Sequence, residues 1–316
     1  MSIPTRRHRC SSISRSGRCP ICRLTPCGRS AASRCSAGPP VRDAGLPAWL
    51  ALLTPAATIN LWAGHFGLLM GALWLIAFRH FDARPRRAGI ATMLMVVKPH
   101  IALLIPLLLL RRRRWTTIAV AGIGVAAIVA ASLLAFGPAV WWTYLHVTSA
   151  LEVSAMAQTG QFFQTMMPTT IVAFRQQALT APIAGIAQVV TAILALALLW
   201  HASGRDVPLA GLCFPAATAT FLILPYAFDY DMTVATLGLM LTLHRRWDHL
   251  ADWQRAVLAA GFVVPQLCIV LAMAGIPLAP IMLLAALFVQ LQAEGLLDRG
   301  AALTTRPAPA EPQPLA

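Results

Sequence analysis

The residues of this sequence that could do chemistry stand inside apolar runs. Lys98 is the only lysine in the chain, and Pro99 and His100 follow it within the stretch MLMVVKPHIALLIPLLLLRRRR, 93–114. A compact ammonium group can bind a phosphate as a point charge. The alternative is a lysine that snorkels to an interface, which is difficult from the middle of a long apolar run. Lys98 is therefore the leading functional candidate, with His100 beside it as a hydrogen-bond donor.

A pair of acids occupies a second such position. The stretch PYAFDYD places Tyr226, Asp229 and Asp231 between two apolar runs. Carboxylates two positions apart could act as a general base, as metal ligands or as a polar gate. The alternative is a solvated loop in which one acid caps the following helix. A divalent ion is permitted but not required, so no metal ligand or cofactor is assigned. We take these residues as candidates for the wall of an outer cavity, and Asp231 as the candidate for a catalytic base.

A histidine stands in a third apolar setting, INLWAGHFGLLMG. The ring of His65 could titrate or donate a hydrogen bond to a phosphate, whereas a lone histidine in a helix bundle is more often structural. The surrounding glycines favour close helix packing over a phosphate-binding loop. These glycines are Gly64, Gly67 and Gly71.

Two glutamines, Gln161 and Gln164, precede another apolar run and are also assigned to the outer cavity. Amide side chains suit the hydroxyl groups of sugars, and the alternative is an ordinary polar loop. Walker, Rossmann and H-E-x-x-H patterns do not occur in the sequence. A soluble-nucleotide or zinc-protease mechanism therefore has no support.

The elements that must position these residues are membrane helices. Of all residues, 58% are hydrophobic and 11% are charged, and the mean hydropathy is +0.69. Runs of about 20 apolar residues match the hydrocarbon core of a bilayer, and the alternating polarity of a β-barrel is absent. We therefore predict an all-α, polytopic transmembrane bundle with about 8–10 membrane segments, including short or re-entrant ones. The apolar runs are 46–62, 63–78, 88–110, 115–136, 181–200, 208–224, 229–243, 257–275 and 278–292.

The two ends of the chain differ from this pattern. Residues 1–45 are rich in arginine, serine and cysteine and lack the apolar core of a signal peptide. Cys19 and Cys22 have a C-x-x-C spacing without a matched second pair for zinc. We expect a low-complexity segment there, disordered or misassigned. A transmembrane domain over 46–300 and a disordered, proline-rich tail over 301–316 follow it.

The arginines predict the orientation in a bacterial-type inner (plasma) membrane. Cytoplasmic loops of multi-pass proteins are rich in basic residues, so the net charge of +14 indicates topology rather than nucleic-acid binding. Two basic clusters, 79–87 and 111–114, should both be cytoplasmic by this rule, yet one apolar run, 88–110, separates them. A single span would place one cluster outside. A re-entrant pair broken at Lys98-Pro99, with halves of about 15 Å each, would keep both inside.

Three stretches, in this order and spacing, carry a family resemblance: NLWAGHFGLLMGAL, RRAGIATMLMVVKPHIALLIPLLLLRRRRW and LILPYAFDYDM. Over roughly 46–292 the chain resembles glycosyltransferase family 87, integral-membrane enzymes of the GT-C class. The resemblance implies a GT-C fold. It also implies transfer of a hexose, typically mannose, from a polyprenyl-phosphate donor to a lipid or glycan acceptor on the extracytoplasmic side. Lys98 would bind the donor phosphate, with His100 and His65 as helpers.

The sequence departs from the family pattern at three places. Histidine replaces glutamine in Gly64-His65-Phe66, where the family has G-Q-N, and in Lys98-Pro99-His100, where it has K-P-Q. The family also carries a catalytic aspartate in its first outer loop, behind an N-terminal helix. Asp43 is the only acid here before the first apolar run, and that role is not transferred to it.

Two other interpretations of the sequence stay open. A non-enzymatic membrane transporter or lipid-carrier protein would use the same buried cation to move an anionic lipid or solute. No inverted repeat is visible in the sequence, which disfavours transport. A truncated family member without its base would be inactive.

Overall fold

The computed structural model of the chain describes residues 43–151, 154, 162–276 and 278–297. These residues form helices and no strands, which confirms the all-α prediction. In chain order the α-helices are α1 Pro55–Ala63, α2 Gly67–His80, α3 Pro85–Leu94, α4 Leu104–Arg111, α5 Trp115–Phe136, α6 Pro138–Thr143, α7 Phe162–Thr165, α8 Thr170–Arg175, α9 Ala181–Ser203, α10 Cys213–Ile223, α11 Thr233–Arg246, α12 Asp252–Met273 and α13 Ala279–Ala293. Short 3-10 turns cover Ala48–Leu53, Met95–Val97, Leu209–Leu212, Asp229–Asp231 and Trp247–His249.

Three of these helices (α5, α9 and α12) are long and apolar enough to cross a bilayer. Three shorter apolar helices accompany them: α2, the helical stretch Leu209–Ile223 and α13. Thr117 is the one buried residue of α5 in the isolated chain, as expected for a helix that contacts lipid along much of its surface. These lengths and compositions are those of a membrane protein.

The segment between the two basic clusters is broken at its middle, as predicted. The helix α3 ends at Leu94, the 3-10 turn Met95–Val97 follows, and turns lead to α4 at Leu104. Lys98 has φ −136° and ψ 73°, outside the helical region. Proline lacks a backbone N–H and disfavours a helical residue before it, so Pro99 accounts for the break.

The two halves of this segment return to the same end of the bundle. Asp82, just before α3, forms an ion pair with Arg114, just before α5. The Oγ1 of Thr117 donates to the carbonyl oxygen of Pro85 at 3.2 Å, and Met93 packs against Gly124. Helices α3 and α5 therefore run in the same direction, and α4 must run back between them. The chain therefore turns back between the two basic clusters, which is the geometry that the re-entrant alternative predicts.

Further basic loops meet at this end, which we call the basic end. Arg112 donates to the carbonyl oxygens of Arg205 and Val207 at 2.6 and 2.9 Å. The backbone N–H of Leu209 donates to Asp82 at 2.9 Å, so the loop before α10 joins the same cluster. Gathering arginines at one end is the arrangement that the positive-inside rule describes.

A buried aromatic cluster holds α2 against the rest of the bundle. Trp74, Phe78 and Phe81 are fully buried, and the rings of Trp74 and Phe78 stack with centroids 4.9 Å apart. The Nε1 of Trp74 donates to the carbonyl oxygen of Cys213 at 3.0 Å. Cys213 and Cys268 are buried thiols, as is usual for free cysteines that pack as small apolar residues.

Candidate functional site

The break in the re-entrant segment brings Lys98 to the acid-bearing turn before α11. Its Nζ lies 2.8 Å from Oδ1 and 3.0 Å from Oδ2 of Asp231. The side chain of Lys98 is 18% exposed, whereas that of Asp231 is 1% exposed. Two residues that the sequence assigned to different roles, a phosphate site and a cavity wall, are therefore one ion pair.

The ring of Tyr230 lies beside this pair. The Nζ of Lys98 is 4.9 Å from the ring centroid, within the range of a cation–π interaction. The ring of His65 stacks on Tyr230 with centroids 4.1 Å apart and an interplanar angle of 11°. Phe228 also stacks with Tyr230, at 5.0 Å. His65 is exposed, so this aromatic row reaches from the buried ion pair to the surface.

The row of rings continues beyond Phe228 to Tyr226 and His100. Their rings meet edge to face with centroids 6.3 Å apart, and Tyr226 contacts Phe228 at 5.3 Å. Tyr226 is 39% exposed, and His100 is half-buried. The two histidines therefore lie at opposite ends of one row of rings, and Lys98 contacts that row at Tyr230.

The loop that carries Asp231 is fixed by α1 and α2. The Nδ2 of Asn60 donates to the carbonyl oxygen of Tyr230 at 3.1 Å, and its Oδ1 accepts from the backbone N–H of Leu68 at 3.3 Å. The Oγ1 of Thr233 donates to the carbonyl oxygen of Gly67 at 3.1 Å. A Cβ on Gly67 would lie 2.6 Å from the Tyr230 carbonyl oxygen. Only glycine permits this approach.

The other two glycines of that motif also have structural roles. A Cβ on Gly71 would lie 2.6 Å from the Oγ1 of Thr233, so this position packs closely as predicted. Gly64 ends α1 with φ 66°, a left-handed conformation that glycine adopts without strain.

Asp229 has different surroundings from Asp231. It is fully buried, and its Oδ1 accepts from the backbone N–H of Tyr230 at 2.7 Å. Its Oδ2 accepts from the Sγ of Cys268 at 3.5 Å, and its own N–H donates to the carbonyl oxygen of Met166 at 2.9 Å. These contacts anchor the turn to α12. The capping alternative is wrong, because the N-cap of α11 is Met232 and no side chain caps it.

The structure describes one of the two glutamines of the predicted outer cavity. Gln164 is buried in α7, and Gln161 lies outside the described residues. Among the described residues, no group of three His, Cys, Asp or Glu side chains is placed to hold a metal ion.

One buried amide was missed at the sequence level. The Oε1 of Gln188 in α9 accepts from the N–H of Ile171 at 3.1 Å. Its Nε2 donates to the carbonyl oxygens of Leu222 and Ile223 at 2.9 and 3.3 Å. These carbonyls lie at the end of α10, just before the PYAFDYD loop. The sequence does contain a signal for it, namely a glutamine within an apolar run. Burying an amide in a membrane helix costs free energy unless the amide is hydrogen-bonded, so such a glutamine indicates a buried partner.

Asp231 also lines a small cavity between α2 and α10. Thr233 and Thr220 contribute its other polar side chains, and Trp74 and Phe221 form part of its apolar wall. The carboxylate thus faces Lys98 on one side and a cavity on the other. Of the two charged groups, the ammonium of Lys98 is the one with exposed surface that an anion could reach.

Comparison with known proteins adds one result to this geometry. The sequence model of glycosyltransferase family 87 matches residues 23–225, more than half of the chain. The matched region contains Lys98 and both flanking histidines, whereas Asp231 follows its end. No curated protein and no solved structure matches the chain. With Lys98 at the centre of the candidate site and inside the matched region, the chain belongs to glycosyltransferase family 87.

Proposed function

We propose that this protein is a GT-C-type hexosyltransferase. It transfers a hexose, with mannose as the first candidate, from a polyprenyl-phosphate donor to a lipid or glycan acceptor. The reaction takes place on the extracytoplasmic side of a bacterial-type plasma membrane. Family membership supports glycosyl transfer in general. The observation that carries the specific donor is an 18% exposed ammonium group at the break of a membrane segment.

The depth of Lys98 favours a lipid-linked donor. Helix α3 has ten residues and is about 15 Å long at 1.5 Å per residue. It starts at the basic end, and Lys98 lies beyond its far end. The lysine is therefore well inside the span of α5, which has 22 residues. An ionisable residue at this depth is expensive and marks a functional site.

The flanking rings complete a phosphate site. His65 stacks on Tyr230, the ring that contacts Lys98, and His100 follows Lys98 by two positions in the chain. A histidine ring can donate a hydrogen bond to a phosphate oxygen. As the sugar leaves, negative charge grows on that phosphate. A cation placed in advance stabilises this charge in the transition state. In this proposal Tyr226, Asp229, Asp231, Gln161 and Gln164 belong to the outer cavity around the sugar and the acceptor.

The domain proposal follows from the same site. Residues 46–300 form the catalytic membrane domain, with about 8–10 segments of which several are short or re-entrant. Three helices meet the length and composition of a full span. The hairpin α3–α4 supports the proposal of short or re-entrant segments. Its non-helical break would lie inside the membrane, where a backbone of this kind has to be covered by other parts of the protein.

The test is transfer of radiolabelled mannose from polyprenyl-phosphate mannose by the full chain in lipid nanodiscs. We expect Lys98→Gln to lower the transfer rate about 100-fold or more, the scale for loss of one charge-stabilising group. Arg113→Gln is the control, because this exposed arginine lies at the basic end, and it should keep full activity. Full activity of Lys98→Gln would contradict the proposal.

The transporter alternative predicts a different product. It would move unmodified lipid or solute across the membrane, and no labelled sugar would appear on an acceptor. Reconstitution in sealed vesicles with labelled donor inside separates the two outcomes.

A further inference from the structure

We propose that the basic end of the bundle carries a binding site for an anionic phospholipid, formed by Arg111 at the end of α4 and Trp200 near the end of α9. The phosphate group of the lipid binds Arg111, and one acyl chain lies along the exposed face of α9. Lys98 precedes α4 whereas Arg111 ends it, so the two sites are separate.

Arg111 and Trp200 form the centre of the site. The guanidinium carbon of Arg111 lies 3.7 Å from the centroid of the Trp200 ring, well within the range of a cation–π contact. The backbone of Gly204 lies beside the same group, since a Cβ there would be 2.7 Å from Nη2 of Arg111. Arg111 is half-buried and Trp200 is exposed, so a ligand can reach both side chains from the surface.

Hydrogen bonds fix the loops around Arg111. The next residue, Arg112, donates to two carbonyl oxygens of the loop 205–207 at 2.6 and 2.9 Å. The Nε of Arg205 in turn donates to the carbonyl oxygen of Leu296 at 3.3 Å. The end of α4 is thus tied to the ends of α9 and α13. A site that is already ordered loses less conformational freedom when a ligand binds.

The charge of Arg111 has no acid to balance it within the described residues. The RRRR run and the loop before α10 together hold five arginines and one acid, Asp206. Asp82 reaches the same region and pairs with Arg114. Among the described ion pairs none includes Arg111, and its Nε is buried without a hydrogen-bond partner. An anionic ligand would supply the missing countercharge.

The exposed face of α9 indicates that this ligand is a lipid. Trp200 ends a row of exposed apolar side chains that are spaced three and four positions apart, so they share one face of the helix. The other members of the row are Ile186, Val189, Ile193 and Leu196. Ala195 and Leu199, in contrast, are buried in the core. The row therefore faces the membrane and leads to the tryptophan that stacks on Arg111.

The length of this row matches one leaflet. From Val189 to Trp200 it extends about 16 Å at 1.5 Å per residue, about half of a hydrocarbon core of roughly 30 Å. Tryptophan is enriched where the hydrocarbon meets the headgroups, and basic pockets between membrane helices bind anionic headgroups. A soluble anion would leave the apolar row unused, and a zwitterionic lipid would bring its own cation to the arginines.

Lipid titration of the full chain in detergent, followed by native mass spectrometry, tests the site. The probes are phosphatidylglycerol, phosphatidylcholine with the same acyl chains, and glycerol phosphate as the soluble anion. We expect phosphatidylglycerol to bind about 10-fold more tightly than phosphatidylcholine, the scale of one hydrogen bond to a charged group. Glycerol phosphate should not bind at the same concentrations.

Two pairs of variants locate the site. Arg111→Gln should weaken phosphatidylglycerol binding about 10-fold. Arg86→Gln is the matched control, because it removes the same charge from an exposed arginine at the same end, and it should bind like the wild type. Trp200→Phe keeps a ring for the stack and should bind nearly as well as the wild type, whereas Trp200→Leu should bind several-fold more weakly.

Thermal unfolding without added lipid identifies a variant that fails to fold. If Arg111→Gln fails, the Trp200 pair still decides the question, because both of its members keep the arginine. Equal weakening in Arg111→Gln and Arg86→Gln would overturn the site and show attraction to the total charge only.

The other outcomes are equally decisive. Equal binding of phosphatidylcholine would refute an anion site, and glycerol phosphate binding as tightly as phosphatidylglycerol would refute a lipid. Identical binding by Trp200→Phe and Trp200→Leu would refute the stacked pair. These measurements record binding and not sugar transfer, so their failure would leave the proposed function intact.

Discussion

Asn60 and Tyr230 are 170 positions apart in the sequence and are joined by one buried hydrogen bond, in which the side-chain amide donates to the backbone carbonyl oxygen at 3.1 Å. This bond fixes the turn that carries Asp231 against α1. A Cβ on Gly67 would lie only 2.6 Å from the same carbonyl oxygen. The position of the acid therefore depends on the start of α2 as well as on its own loop.

Gly67→Ala should destabilise the protein by about 1–3 kcal/mol, the usual cost of overpacking. The added methyl group would meet the Asn60 amide and the Tyr230 carbonyl oxygen, and the turn at Asp229–Asp231 would have to move. Thermal unfolding in detergent and the transfer rate measure the two effects. Gly122→Ala is the matched control, because a Cβ there meets no atom within 4 Å. Equal behaviour of the two variants would contradict the packing argument.

His65→Phe separates stacking from hydrogen bonding. Phenylalanine can keep the stack on Tyr230, which has a centroid distance of 4.1 Å in the native protein, but it has no ring N–H. If His65 donates to the donor phosphate, the KM for polyprenyl-phosphate mannose should rise about 10-fold, as for loss of one hydrogen bond to a charged group. His65→Ala should show at least the same rise. A wild-type KM for His65→Phe would assign the histidine a packing role only.

Cysteine labelling tests the re-entrant segment. In a cysteine-free background, Arg87→Cys and Arg113→Cys should react with a membrane-impermeant maleimide from the same side, because the Asp82–Arg114 ion pair places both clusters at one end. Ala139→Cys, just beyond the far end of α5, should react from the opposite side. Labelling of the two arginine positions from opposite sides would show a single span.

Gln188→Met should destabilise the protein by about 1–3 kcal/mol. The variant leaves an N–H of Ile171 and two carbonyl oxygens without their amide partner, and an unpaired buried polar group costs this much. Gln266→Met in α12 is the control, because this amide is exposed and donates to the hydroxyl of Thr58 at 3.3 Å. We expect little change in its unfolding temperature. A similar loss of stability in both variants would contradict the role of Gln188.

Long apolar helices could be predicted closely from the sequence. The run 115–136 has the same bounds as α5, and the run 181–200 ends three residues before α9 does. The length of an apolar run is visible in consecutive residues, and the thickness of the bilayer determines how long a spanning run has to be. The break at Lys98 was predictable for a similar reason, since proline acts on its immediate neighbours.

The pairing within the site could not be predicted in the same way. Lys98 and Asp231 are 133 positions apart, and nothing in either motif states that the two loops meet. The sequence also does not indicate that the carboxylates of Asp229 and Asp231 have different partners. A 3-10 turn sends one carboxylate towards α12 and the other towards Lys98, and this choice depends on packing rather than on residue type.

The ion pair between Asp82 and Arg114 has a consequence for biosynthesis. Both basic clusters lie at one end of the hairpin α3–α4, so neither has to be carried across a bilayer and the hairpin can enter from one side as a unit. Asp231 is made 133 residues after Lys98, which at 5–20 residues per second is a delay of roughly 7–27 s. During that interval Lys98 lacks the carboxylate that it pairs with in the folded protein. The hairpin must therefore stay shallow, or be sheltered by the insertion machinery, until α11 emerges from the ribosome.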